Sequence, residues 1–195
     1  KNIVSLFKTF KVLHNKYNYP IIFPIHPRTK DKIMYSAAMK VFKRAPNLTA
    51  LLTVSVEEMA SLIYPVGFYR TKAANLIKLA KILIAEFNGK VPSSMVELLK
   101  LPGVGRKTAN LVLGIAFGIP AICVDIHVHR IANRIGWVQT KDPEETEKIL
   151  MEITPKKYWI MINRILVNYG QKICTPISPF CSICTVNKTC NKKGV

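Results

Sequence analysis

The sequence predicts an all-α protein, and three observations carry that prediction. Apolar residues recur at helical spacing through almost every segment, while no stretch shows the strict alternation of a half-buried strand. Several of these segments open on residues that cap helices. The connections between them are short, as in compact helical folds.

The periodicity places helices near 2–15, 31–44, 55–63, 70–87, 93–100, 106–117, 126–135, 143–152 and 156–169. The first is amphipathic, with Ile3, Leu6, Phe7, Phe10 and Leu13 on one face and lysines between them. Ser55 followed by Glu58 has the pattern of a capping box, and Thr71 opens a run carrying Ala73, Ala74 and Leu76. Asp142-Pro143-Glu144-Glu145 supplies a cap, a proline at the first helical position and acids in the first turn. Asp125, after the apolar run 119–124, is placed as the N-cap of the next helix. The exception is NYPIIFPIHP at 18–27, where Pro20, Pro24 and Pro27 forbid a regular helix and predict an extended connector.

Composition narrows the function. The 195 residues suffice for a substantial core, as one domain or two small intimate ones. Lys and Arg number 29 against 11 Asp and Glu, a net charge of +18 spread along the whole chain, and so large a surplus calls for an anionic partner such as nucleic acid. No segment has the length and apolarity of a membrane span: the run Leu111 to Val124 is interrupted by Gly114, Gly118 and Pro120. The N-terminal segment has the features of neither a secretory signal nor a transit peptide, so an intracellular protein is expected.

Two motifs carry chemistry. In LPGVGRKTAN at 101–110, two glycines and a proline join one helix to the next, too tightly for a flexible linker. Gly103 and Gly105 permit unusual backbone conformations and a close approach, and the helix start beyond them presents unpaired N–H groups to an anion. Lys107 sits in the first turn, where the helix dipole opposes its charge and eases it toward the free amine that imine chemistry uses. The bland alternatives are a structural helix–turn–helix corner and a lysine that merely touches phosphate.

The second motif is the cysteine cluster CTPISPFCSICTVNKTC, with six, two and five residues between successive cysteines. Inside a cell such a cluster is read as a metal site rather than a disulfide framework, and four thiolates suit tetrahedral zinc or an iron–sulfur cluster alike. Spacing does not choose between them. The enclosed loop is too short for its own core, so the metal's role is structural, fixing a loop flanked by Lys188, Lys192 and Lys193. Cys123, in an apolar run, reads as a buried thiol.

In order, LPGVGRKTAN, then VDIHVHRIANR with Asp125 eighteen residues beyond Lys107, then Cys-x6-Cys-x2-Cys-x5-Cys, resemble endonuclease III, a family of helix-hairpin-helix DNA glycosylases. The resemblance runs from about Arg28 to Cys190, and YPVGFYRTKAANLIKLA at 64–80 is similar to another junction of that family. It implies a six-helix barrel at 22–133, with the helix-hairpin-helix at about 93–117. A terminal helical domain from 1–21 and 134–195 would hold a [4Fe–4S] cluster on Cys174, Cys181, Cys184 and Cys190.

The resemblance further implies a bifunctional repair enzyme that acts as a monomer on double-stranded DNA containing a damaged base or an abasic site. Lys107 is the nucleophile that forms a Schiff base at C1′, and Asp125 assists it. Oxidised pyrimidines are removed and the strand is nicked 3′ to the abasic site by β-elimination. Relatives that only remove the base carry serine or tyrosine in place of the lysine. Arg28 and Phe68 fill the gap in the base stack, and Gly103, Val104, Gly105, Arg106 and His127 contact DNA. The expected setting is the cytoplasm of a prokaryote or archaeon, at the nucleoid. One departure stands out: the family has an apolar helix before the segment Arg28-Thr29-Lys30-Asp31, where this chain has three prolines and His26. It motivates the alternative of a non-catalytic or AP-lyase-only DNA-binding module. A zinc-stapled structural protein is a third reading.

Overall fold

A computed structural model of the protein describes residues 31–194. The expected helix at 2–15, the proline-rich connector at 18–27 and Arg28 lie outside the described residues. Among the described residues there is no strand, as the periodicity predicts. The chain divides into two compact units, with the division between Gly105 and Arg106.

The first unit contains α1 (Asp31–Arg44), α2 (Leu48–Leu51), α3 (Val56–Ile63), α4 (Tyr69–Phe87) and α5 (Met95–Leu98). Its core is formed where α3 packs on α1 and α4, and α2 on α4. Met34, Ala37 and Val41, at spacings of three and four on α1, meet Met59 and Ile63 of α3 and Ala73, Ile77 and Ala80 of α4. Ser55 caps α3 as predicted, its Oγ accepting from the Glu58 amide at 3.0 Å. The Glu58 carboxylate does not return to complete a capping box; it takes the Arg44 guanidinium and ties α3 to the end of α1. Thr71 is not a cap: α4 begins two residues earlier, after Phe68, whose φ of 55° is left-handed and whose side chain makes no capping bond. The four-residue α2, capped by Asn47, is too short for a periodic signal and escapes the sequence pattern.

The second unit contains α6 (Arg106–Ala116), α7 (Ile126–Ile135), α8 (Pro143–Ile153) and α9 (Trp159–Lys172), with short 3-10 turns at Lys156–Tyr158 and Cys181–Ile183. Helix α7 is central, packed on both α8 and α9. Val128, Ile131 and Ala132 of α7 meet Leu150 of α8 and Ile162 and Leu166 of α9, with Ile122 and Val124 from the preceding segment. Asp142 caps α8 through a bond from the Glu145 amide at 2.9 Å, with Pro143 at the predicted first position. Gly136, at φ 86°, ends α7, which is the left-handed terminator glycine supplies most readily.

Candidate functional site

The hairpin loop belongs to the first unit and leads directly into α6. Gly103 takes φ +77°, a conformation an L side chain adopts only with strain, and a Cβ there would stand 2.9 Å from Asn75 Nδ2 on α4. Glycine is therefore required at 103 by conformation, while the Asn75 amide, at the end of its side chain, can turn aside. Gly105 differs: its φ is not left-handed and a Cβ would meet nothing within 4 Å. Its contribution is bareness, an exposed backbone with no side chain over it. Val104, between them, is buried.

In the same unit, Phe68 stands 86% exposed at the entrance of α4. A large aromatic ring left in water on a strained backbone marks a contact surface more than a core. A cleft of about 280 Å³ lies beside it, lined by Thr71, Lys72, Asn75, Leu79, Pro102 and Gly103 among others. Partial burial works against the charge of Lys72 in this wall.

In the second unit, α6 presents Arg106 and then Lys107 in its first turn. Lys107 is exposed and has no ion-pair partner among the described residues. Arg106 is tied: its Nε donates to Glu147 Oε1 at 3.0 Å and its Nη2 lies 2.9 Å from the same oxygen. That hydrogen bond, more than the accompanying charge attraction, holds the guanidinium still more firmly protonated. Glu147 is only 4% exposed, so its charge is matched inside the unit rather than by water.

Asp125 caps α7 as predicted, its Oδ1 accepting from the amides of His127 and Val128, both at 2.9 Å. The carboxylate is nearly enclosed, and Oδ2 takes no hydrogen bond from the described residues. His127 is also buried, with Nδ1 3.1 Å from Arg130 Nη2. Its ring therefore lies within the unit.

Lys107 and Asp125 are linked through Cys123. The thiol, buried as predicted, donates to the Lys107 carbonyl oxygen at 3.4 Å, and the Cys123 carbonyl accepts from Asn163 Nδ2 at 2.9 Å. Burial pushes this thiol up to about 12. It is a protonated donor, not a nucleophile. Sequence reasoning finds the burial and misses the link, because a thiol two residues before a cap gives no signal of what lies across from it.

The cysteine loop follows α9. All four of its cysteines are free and half-buried. No three metal-binding side chains among the described residues are grouped around one point, as a single tetrahedral ion would need. Polar groups nonetheless surround three of the sulfurs. Arg134 Nη1 points at Cys174 Sγ from 3.6 Å, the Tyr169 hydroxyl lies 2.9 Å from Cys184 Sγ, and the Lys192 amide donates to Cys190 Sγ at 3.3 Å. Donors aimed at sulfur are what stabilise thiolate ligands of an iron–sulfur cluster. Arg134 and Arg130, one turn apart on α7, also donate to the carbonyls of Thr175, Pro176 and Cys174 at 2.6, 2.8 and 2.7 Å. Neither arginine stands out in the sequence; only the fold shows that α7 carries the struts of this loop.

An all-helical chain with a glycine-marked hairpin, a first-turn lysine, a capping aspartate and a four-cysteine loop defines a helix-hairpin-helix protein. The family model of the HhH-GPD superfamily base excision DNA repair protein matches residues 25–156. Endonuclease III of Thermotoga maritima is 44% identical over 163 residues, covering 84% of this chain and 76% of its own length. Endonuclease III homolog 1, chloroplastic, of Arabidopsis thaliana is also 44% identical, but the chain spans only 45% of that longer protein. Among solved structures, a trapped endonuclease III–DNA covalent intermediate, an estranged-adenine complex, superposes with a TM-score of 0.80 at 31% identity, covering 98% of this chain and 97% of that one. The chain belongs to the HhH-GPD superfamily of base-excision DNA repair proteins and, within it, to the endonuclease III family.

Proposed function

We propose that this chain is a bifunctional DNA glycosylase and AP lyase in which Lys107 is the covalent nucleophile. The observation that carries this reading is an exposed first-turn lysine, with no ion-pair partner among the described residues, whose own carbonyl is tied to the segment that delivers Asp125. The structural neighbour that is a trapped covalent endonuclease III–DNA intermediate supports it.

The chemistry follows from these groups. A damaged nucleotide is turned out of the duplex so that its sugar can be reached. The lone pair of Lys107 Nζ attacks C1′, and the C1′–N glycosidic bond breaks with its electron pair leaving on the base. Asp125, held by two backbone amides through Oδ1, offers Oδ2 to the positive charge that develops on the sugar and to the proton released from the amine. Loss of that proton and opening of the ring leave an imine between Nζ and C1′. Removal of a C2′ proton then expels the 3′ phosphate, which nicks the strand, and water releases the lysine. Oxidised pyrimidines are the proposed lesions. The alternative of a non-catalytic module is disfavoured by the family assignment and by Lys107 itself.

Phe68, in the first unit, is proposed to enter the stack where the nucleotide has left, together with Arg28. Gly103, Val104 and Gly105 would meet phosphate through backbone amides, with Arg106 and the helix start beyond them. The buried ring of His127 leaves its amide, not its side chain, to organise this region. Cys174, Cys181, Cys184 and Cys190 would hold a [4Fe–4S] cluster, whose contribution is to fix the loop around it. The domain division at 22–133, with both chain ends in the second domain, is proposed on the family's pattern; it groups the chain differently from compactness alone.

Borohydride trapping tests the central claim. Cluster-loaded protein is mixed with a duplex carrying one abasic site or one thymine glycol. The expected result is a covalent protein–DNA adduct with both, absent in Lys107→Gln, which keeps its affinity for DNA. No adduct from wild-type protein that binds the duplex would overturn the Schiff-base assignment.

A further inference from the structure

The first turn of a helix is its least secured part, since its leading amides lack partners within the helix. A nucleophile on a long, flexible side chain there needs its backbone held from outside. In the second unit the Lys107 turn is held on two flanks, by residues with no part in the chemistry above. On one flank, the buried Glu147 of α8 takes both Nε and Nη2 of Arg106, the residue next to Lys107. Withdrawing the arginine would strand a carboxylate only 4% exposed, so the contact resists fraying of the turn. On the other flank, the Cys123 thiol donates to the Lys107 carbonyl while Asn163 of α9 anchors the Cys123 carbonyl. Cys123 stands two residues before Asp125, whose own backbone is fixed by capping α7.

We propose that Cys123 and Glu147 are positioning residues, which fix the first turn of α6 and thereby set Lys107 Nζ against the Asp125 carboxylate. The inference rests on Lys107 being the nucleophile. Neither residue touches substrate. Each acts by restricting where the lysine's backbone can be, and small displacements of a reacting group cost rate steeply, about 100-fold for roughly 1 Å. Their effect on the lysine therefore falls on the chemical step; Cys123 leaves DNA binding untouched, whereas Glu147 also holds Arg106, a proposed phosphate contact.

The test separates those two quantities. Single-turnover trapping on an abasic-site duplex gives the rate of adduct formation, and fluorescence anisotropy with the same duplex gives its Kd. The variants are Glu147→Gln, Cys123→Ala and Cys123→Ser, made in the full, cluster-loaded chain. Glu147→Gln and Cys123→Ala should each slow adduct formation about tenfold or more, and Cys123→Ala should leave Kd within about threefold of wild type. Cys123→Ser, which keeps a donor for the Lys107 carbonyl, should recover most of the rate that alanine loses. The cysteine pair decides the matter even where Glu147→Gln does not fold. Rates within about twofold of wild type in every variant overturn the inference and leave the nucleophile standing. Equal losses of rate and affinity, with serine no better than alanine, also overturn it, because a merely structural role would move both. Absence of any wild-type adduct removes the nucleophile assignment and this inference with it.

Discussion

Cys123 and the four loop cysteines are the same residue type in contrasting surroundings. The loop sulfurs are half-buried, and three of them have N–H or O–H groups close by. Cys123 is 4% exposed and its thiol rises from 9.0 to about 12, chiefly by burial. The sign of the consequence is fixed. A proton held more tightly in the folded state favours folding fully below about pH 9, and that contribution is lost as pH climbs from 9 toward 12. Cys123→Ala should lose less stability than wild type between pH 8 and about 10.5, measured by urea denaturation at each pH. An equal loss in both proteins would place the alkaline sensitivity elsewhere. Asp125 supports a second residue-scale prediction. Asn at 125 keeps an oxygen for the His127 and Val128 amides and removes the negative charge. Asp125→Asn should therefore melt within about 1 kcal/mol of wild type yet lose about 10²-fold or more in single-turnover rate.

At the scale of elements, the hairpin separates two uses of glycine that look alike in GVG. Gly103 is needed by its φ of +77° and lies against the Asn75 side chain, whereas Gly105 has neither constraint. Gly103→Ala should cost about 1–3 kcal/mol in folding stability, and Gly105→Ala about 0.5 kcal/mol or less. If both glycines serve a phosphate, both variants bind DNA more weakly, and Gly105→Ala does so in a protein of near-normal stability. This contrast also marks what can be read beforehand. Long helices with a buried stripe, such as α1 with Met34, Ala37 and Val41, are visible from spacing alone, and so are the caps at Ser55, Asp125 and Asp142. Structure settled by tertiary contact is not. Phe68 starts α4 in a left-handed conformation that no local preference selects, and Glu58 leaves its own cap for Arg44 on a neighbouring helix. Lys107 and Asp125 are picked out because a lysine in a helix's first turn and an aspartate at a helix start stand at informative places. Glu147 and Cys123 are not, because an acid inside α8 and a cysteine in an apolar run are commonplace until the fold brings them to one turn.

For the whole molecule, charge decides how function responds to solution conditions. The net charge is +18, yet among the described residues only Arg44, Arg106 and Lys148 pair with acids, so most of the described cations have no acidic partner there. Such a surface acts on DNA by displacing its counterions, and each phosphate neutralised steepens the dependence of affinity on salt. With six or more phosphates engaged, affinity for a duplex should fall about 10³-fold between 50 and 200 mM salt. Lys188 and Lys192 are exposed on the cysteine loop, and the Lys192 amide at once serves Cys190 Sγ. If the loop is fixed in order to present these charges, replacing both lysines with glutamine should lower the slope of log affinity against log salt by about 2. The single-turnover rate at saturating enzyme should be unaffected, since neither side chain belongs to the Lys107 turn. A slope unchanged in the double variant would mean that the loop meets no phosphate, and would leave the cysteines the narrower task of closing the end of α9.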